Sequence, residues 1–398
     1  MNRTRPPAGH RPQLDRRRFL QAMTAAGAGL GATSLLGACG VQGTKLAAGE
    51  CPSTDYSAKE KELNFSNWPE YIDVDDNGKM PSLMRFERET GIKVTYNTDV
   101  NDNNDFFSKV KNQLGNCQPV GRDIFVLTDW MAAKMVNAGW LQKLDHANMP
   151  MVQKELVANL QHPGWDENRD YSVPWQSGFT GIAYNAKYTK PVGSFEELTT
   201  RSDLKGRISM LKEMRDTMSF MLRLSGGDPA DFDENAWGNA IDKLKSIVQS
   251  GQVRRFTGND YVDDLNKGDI VACEAWSGDV IAMQFDNPDI KWVVPEEGLV
   301  LWSDNMLVPN LARHKTNAEK LMNFYYEPIN AATLAAWVNY VCPVSGAQEA
   351  MAKVDKSLVE EPLIFPTEDF LKKAASFQAV PDGTSDQYER DFQRAITS

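Results

Sequence analysis

From Lys61 onward, segments that alternate as strands do are separated by segments with helical spacing, and this order constrains the fold more than any other feature. "KELNFSNW" reads as a strand, "MPSLMRFERETG" as a helix with Pro81 in its first turn and Gly91 at its end, and "IKVTYNT" as a second strand. "NDFFSKVKNQLG" then sets Phe106, Phe107, Val110 and Leu114 at helical spacing. "RDIFVLT" is a short buried strand, and "DWMAAKMVNAGW" a helix with Asp129 as its cap. A turn-rich stretch, "HPGWDENRDYSVPW", reads as a crossover between domains. Beyond it a second unit follows: "GFTGIAYNAK", "GRISMLK", the helices "MRDTMSFMLRLSGG" and "ENAWGNAIDKLKSIVQ", and the apolar strand "DIVACEAW". Alternation of this kind predicts α/β architecture with a largely parallel sheet, and 398 residues suffice for two domains. No period of 20 to 50 residues recurs, which excludes a solenoid.

The first forty residues are of another kind. "DRRRFLQ", with Arg16, Arg17, Arg18, Phe19 and Leu20, precedes the small apolar run "AMTAAGAGLGATSLLGAC" that ends at Cys39. A basic region before a short apolar one is an export signal. Arg-Arg-x-Phe-Leu resembles a twin-arginine signal, and Leu36-Gly37-Ala38-Cys39 resembles a lipobox, whose cysteine receives a lipid. The run is Gly-rich and shorter than the ~20 apolar residues a membrane span needs. The mature chain is therefore expected to begin at Cys39, outside the cytoplasm and lipid-anchored. Residues 1–38 form the signal and residues 39–60, polar and small, a linker.

Removing residues 1–38 takes six Arg and one Asp away, so the mature chain is more acidic than the formal −11 of the whole. That balance repels nucleic acid and suits cationic ligands or plain solubility. Cys51, Cys117, Cys273 and Cys342 remain for pairing in an oxidising compartment, with three full connectivities open. His10, His146, His162 and His314 are scattered and no Cys-x-x-Cys occurs, so neither a metal nor a cofactor is expected.

Seven segments in order, "NWPEY", "ETGIKV", "DIFV", "YSVPW", "GDIVACEAWSGD", "VPEEGLVLWSDNMLVP" and "AEKLMNFYYEP", resemble the spermidine/putrescine-binding branch of the bacterial ABC-transporter solute-binding proteins. The likeness runs from about Glu62 to Arg394. It implies a two-lobed, type II Venus-flytrap fold with hinge crossovers, a ligand held between the lobes, no catalysis, and delivery by a monomer to a membrane permease. Crossings are expected near Arg169 to Pro174, near Leu301 to Asp304 and after Tyr340. Lobe 1 would comprise 61–170 and 304–345, and lobe 2 would comprise 171–303 and 346–398.

The resemblance also implies a ligand site. It carries over to Trp68, Glu70 and Tyr71, to Thr128 and Trp130 where relatives often have Ser and Tyr, and to Glu213 and Asp216 with the acids in reversed order. Trp276, Trp302, Asp304, Tyr340 and Gln378 complete it. Alkyl amines titrate near ~10.4, so a polyamine is multiply cationic at neutral pH with methylenes between its charges. It needs spaced acids and flat apolar walls. Asp304 would meet the deepest amine, Glu213 and Asp216 one end and Glu70 the other, while Trp68, Trp130, Trp276, Trp302 and Tyr340 would sandwich the methylenes. Trp140, Trp165, Trp237, Trp292 and Trp337 are expected to be structural.

Two other classes stand beside this one. An extracytoplasmic hydrolase lacks support from any G-x-S-x-G, H-E-x-x-H or phosphate-loop motif. A binder of a sugar or an amino-acid derivative would share the aromatic residues and acids, but an amino-acid binder needs an Arg for the carboxylate, and no carried-over residue is basic.

Overall fold

The structure is a computed structural model and describes residues 51–398 apart from Asp76; the export signal and Cys39 lie outside the described residues. Its principal elements are β1 (Glu62–Ser66), α1 (Pro81–Thr90), β2 (Lys93–Asn97), α2 (Asn103–Gly115), β3 (Ile124–Thr128), α3 (Asp129–Asn137), β4 (Ser172–Asn185) and β5 (Ile208–Leu211). There follow α4 (Met214–Leu224), α5 (Glu234–Gln249), β6 (Val253–Thr257), α6 (Tyr261–Lys267), β7 (Ala272–Trp276), α7 (Ser277–Asp286), β8 (Ile290–Val293) and β9 (Leu299–Leu307). The chain closes with α8 (Lys315–Tyr325), α9 (Pro328–Val338), α10 (Ala347–Val354), β10 (Ala374–Ala375) and α11 (Asp382–Ile396).

Local chemistry explains the elements that were legible in advance. Pro81 opens α1 where its missing N–H costs nothing, and Gly91 ends it at φ 71°, a conformation suited to glycine. In β3 the four residues Ile124 to Leu127 are fully buried, so the strand is apolar on both faces rather than alternating. Helix α3 differs in detail: Thr128 holds the cap position, and the Asp129 carboxylate accepts from the neighbouring Trp130 amide.

The sheet order is β2-β1-β3-β9-β4-β7-β5-β6. Two outer groups are parallel, β2-β1-β3 and β7-β5-β6. The expectation of a largely parallel sheet fails at the centre, where β9 runs antiparallel to β3, β4 antiparallel to β9, and β7 antiparallel to β4. The N-terminal part of β4 pairs with β9 beside β3, and its C-terminal part pairs with β7, so one strand reaches both groups. A chain that leaves one group on β4 and returns on β9 must run in opposite directions on the two. The stretch expected as a crossover loop accordingly ends at Ser172, and the passage itself is strand, with a register shift between Pro174 and Gln176. A proline in a strand is tolerated at such an irregularity.

Two main apolar clusters surround this centre, and the first also takes in Tyr261, Leu265, Ile270 and Val280 of the second unit. Phe65, Phe86, Phe106 and Phe125 belong to the first, and Phe195, Phe220, Trp237 and Phe392 to the second. Ala347, Met351, Leu358 and Ile364 join the first core, and α11 packs on α5 in the second. Helix α10 packs on α9, and the chain after Ile364 continues to β10, which pairs with β9, and to α11.

The segment expected as linker is docked from Cys51 onward. Cys51 is bonded to Cys117, closing a 66-residue separation, while Cys273 and Cys342 are free and buried. Asp55 accepts from the Thr316 hydroxyl, Ser57 is buried, and Glu60 meets both Arg313 and His314. The polar composition that suggested a spacer instead supplies hydrogen bonds to the start of α8. No helix among the described residues is long and apolar enough to cross a membrane.

Candidate functional site

Strands β1, β3, β5 and β7 all point their carboxyl ends at one cleft of about 1190 Å³ between the two cores. This is where open α/β sheets place ligands, because loops leaving those strand ends are free to vary while the strands hold them. Trp68, Glu70 and Tyr71 follow β1, Thr128 and Trp130 follow β3, Glu213 and Asp216 follow β5, and Trp276 ends β7. Trp302 and Asp304 lie on β9, Tyr340 follows α9, and Gln378 lies between β10 and α11. All twelve residues border the cleft.

Asp304 is buried where three strands meet, opposite Thr128 on β3 and Gln176 on β4. The Thr128 hydroxyl donates to Oδ1 at 2.8 Å and the Tyr71 phenol to Oδ2 at 2.9 Å. Burial pushes its pKa up to about 7, against the lowering effect of those two bonds and with further help from Asp129 and Asp216. An acid so placed is short of positive charge.

A second carboxylate borders the same cleft. Asp279, in the first turn of α7, accepts from the Tyr261 phenol at 2.7 Å, the Tyr340 phenol at 2.9 Å and the Asn259 amide at 3.0 Å. Burial holds its pKa at about 6, with the two phenols opposing and nearby Glu70 adding to the rise. Tyr71 and Tyr340 meet edge to face with ring centroids 5.4 Å apart. Their hydroxyls bond different acids, Tyr71 to Asp304 and Tyr340 to Asp279.

The paired acids behave differently from each other. Asp216 accepts from the Thr180 hydroxyl, which in turn accepts from the Trp302 indole at 3.0 Å; burial raises its pKa to about 6. Glu213 precedes α4 and is approached by the Asn103 side-chain amide at 3.4 Å; burial, then Asp102 and Asp216, push its carboxyl well above the usual range. Between them in sequence, Arg215 also enters the cleft, its guanidinium 3.7 Å from the Trp130 ring centroid.

Two glycines make room for the aromatic wall. A Cβ on Gly178 would collide with the Trp302 and Tyr340 rings, and one on Gly278 would stand 2.5 Å from Tyr340. Trp302 and Tyr340 pack edge to face at 5.4 Å. Trp68 is mostly core: its indole donates to the Val126 carbonyl at 3.1 Å and only an edge remains exposed. Glu70 is exposed with a left-handed backbone, φ 55°, uncommon for a residue with a side chain. The Gln378 amide is engaged on both sides by the backbone of Phe232, which leaves it as wall rather than as a free donor.

Sequence reasoning missed Asp279, Arg215, Trp165 and Trp337, all of which border the cleft. Asp279 sits three residues after Trp276, in the segment "EAWSGD", and its nearness to a strand end was the available signal. Arg215, which is not among the carried-over residues, adds a basic side chain to the border of the cleft. Trp337 is 39% exposed, so it is rim rather than core. Among the described residues no cluster of His, Cys, Asp and Glu is arranged to hold a metal ion.

Residues 83–365 match the model of the bacterial extracellular solute-binding protein family. The chain belongs to that family. Such proteins bind solutes for transporters and are not enzymes. A spermidine/putrescine-binding periplasmic protein of Haemophilus influenzae is 28% identical over 82% of this chain and 88% of its own length. A putrescine-binding periplasmic protein of Escherichia coli is 27% identical over 80% and 86%. Among solved structures, one from Listeria monocytogenes assigned as a spermidine/putrescine ABC transporter superposes with a TM-score of 0.73 at 27% identity, covering 84% of this chain and 99% of its own. A Treponema pallidum lipoprotein superposes with a TM-score of 0.71 at 21% identity, covering 85% and 100%, and supports the two-lobed fold alone.

Proposed function

We propose that this solute-binding protein captures a linear polyamine between its two lobes and passes it to an ABC-transporter permease. One observation carries the reading: the buried Asp304 and the half-buried Asp279 border the same cleft, bonded to the Tyr71 and Tyr340 phenols respectively, and those two rings meet edge to face. Ammonium groups at the two ends of a short alkyl chain would meet the acids, and the methylenes would lie along Tyr71, Tyr340 and Trp302. A unit-charge pair at 4 Å is attracted by ~4 kcal/mol at an effective dielectric of 20 before desolvation is subtracted. Arg215 does not turn the cleft toward zwitterions, because Glu389, Glu213, Asp129 and Asp216 already surround its charge.

The lobes proposed from packing are residues 51–172 with 304–365, and 178–302 with 376–398, joined by the middle of β4, by β9 and by the segment after Ile364. We further propose that the mature protein begins at Cys39, lipidated and extracytoplasmic, after twin-arginine export. Calorimetric titration with putrescine, spermidine, spermine and neutral sugars tests the ligand class. Heat with an amine and none with sugars is expected; no heat with any amine sinks the reading. Cys39→Ser should release the protein from the membrane fraction, and continued tight attachment would contradict the anchor.

A further inference from the structure

We propose that Arg215 is a positioning residue that latches the two lobes, by occupying a ring face of Trp130 that a ligand cation would otherwise take. Arg215 stands on α4 of the second lobe and Trp130 on α3 of the first. The guanidinium carbon lies 3.7 Å from the Trp130 centroid, and Nη2 donates to the Ser385 hydroxyl at 2.7 Å, fixing the fork against α11. A cation–π contact of this kind is worth more when shielded from water than at an open surface.

Three weaker contacts flank it and cross the same boundary. Lys134 on α3 meets Asp386 on α11 at 2.7 Å, Lys212 meets Asp105 on α2 at 3.6 Å, and the Asn103 amide reaches Glu213 at 3.4 Å. Exposed ion pairs contribute little on their own, and the Tyr340–Asp279 hydrogen bond at 2.9 Å also crosses between the lobes, so the Arg215–Trp130 stack is one of two ties that are shielded from water. None of these contacts involves β4 or β9. Opening about those strands must break them, whatever the ligand is.

The consequence reaches two earlier assignments. Trp130 serves the protein's own cation instead of wrapping a ligand methylene. Arg215 in turn tempers the field of Glu213, Asp216, Asp129 and Glu389 at that end of the cleft, so free ammonium is drawn toward Asp304 and Asp279. Part of the free energy of closure is then present before any ligand arrives, and apparent affinity rises with the fraction already closed.

The inference uses the two-lobed fold and does not depend on the ligand's identity, so its test is made without ligand. Spin labels at Lys111→Cys on α2 and Asp242→Cys on α5 report the separation of the lobes by electron–electron distance measurement. The ligand-free wild type should show a populated short distance. Arg215→Met should shift that population to longer distances, Trp130→Leu should do the same, the double variant should shift no further, and Arg215→Lys should retain part of the short population. Identical ligand-free distributions for the wild type and for either single variant that keeps its thermal midpoint would overturn the latch. So would a ligand-free wild type with no short distance at all. If Arg215→Met fails to fold, Trp130→Leu decides alone. Polyamine binding is read separately by calorimetry, so its failure leaves this test intact.

Discussion

Proton competition at Asp304 should make affinity for a polyamine fall steeply between pH 8 and pH 6. The ligand's amines stay protonated throughout, since they titrate near ~10. The protein's acids do not stay ionised: Asp304 titrates at about 7 without ligand, and Asp279 and Asp216 at about 6. An ammonium can be held only by the ionised form, so binding releases whatever proton the carboxyl carried, and acid opposes binding. Ionised Asp304 falls from roughly nine-tenths at pH 8 to one-tenth at pH 6, a loss of about tenfold in affinity from that group alone. Asp279 and Asp216 would add roughly twofold each, for a total near 40-fold if all three meet the ligand.

Titration calorimetry in buffers of different ionisation enthalpy reads both the affinity and the protons released. In Asp304→Asn, affinity at pH 8 should drop by about 1.5 to 3 kcal/mol, the scale of a hydrogen bond to a charged group. The remaining pH dependence should shrink to roughly fourfold, the share of the other two acids. Flat affinity from pH 8 to pH 6 in the wild type, or an undiminished slope in the variant, would refute the assignment of Asp304 to a ligand cation.

The same carboxyl bears on stability with the opposite sign. Its folded pKa is raised above the unfolded value, so its favourable contribution is complete below pH ~4 and lost as pH rises through about 7; Asp304→Asn should therefore have a higher thermal midpoint than wild type at pH 8, and a lower one would contradict the burial argument. His314 is also raised: burial lowers it, but bonds to Asp123 and Glu60 outweigh that. Its contribution is complete below the ordinary ~6.5 and lost as pH climbs past the raised value, so His314→Gln should destabilise more at pH 5.5 than at pH 8.5 in denaturant melts. Gly278→Ala should push Tyr340 from Asp279 and weaken amine binding by tenfold or more with the fold retained, whereas unchanged affinity would show that the ring can shift freely. Cys117→Ser should cost ~2–4 kcal/mol of unfolding free energy, and peptide mapping should recover only the Cys51–Cys117 bond.

Where the chain could be read in advance, the deciding interactions were local. Pro81 and Gly91 bracket α1 because each has one backbone preference, and the all-apolar β3 announces a strand buried on both faces. Thr128 and Trp276 were named through the family resemblance, and both stand at strand ends, where a loop projects from the sheet. Asp304 came through the same resemblance. It lies within β9, and only the pairing of that strand with β3 and β4 brings it to the cleft.

By itself, then, the sequence determined an α/β chain of two units, and its resemblance to the family named the acids and aromatic rings of the site. Tertiary structure alone decided the antiparallel centre, the Cys51–Cys117 pairing, the docking of residues 51–60, and the roles of Asp279 and Arg215. Those depend on contacts between residues far apart in the chain, such as Asp279 with Tyr340 and Arg215 with Trp130. No periodicity or cap records them, because burial and partner charge are set only when the two lobes meet.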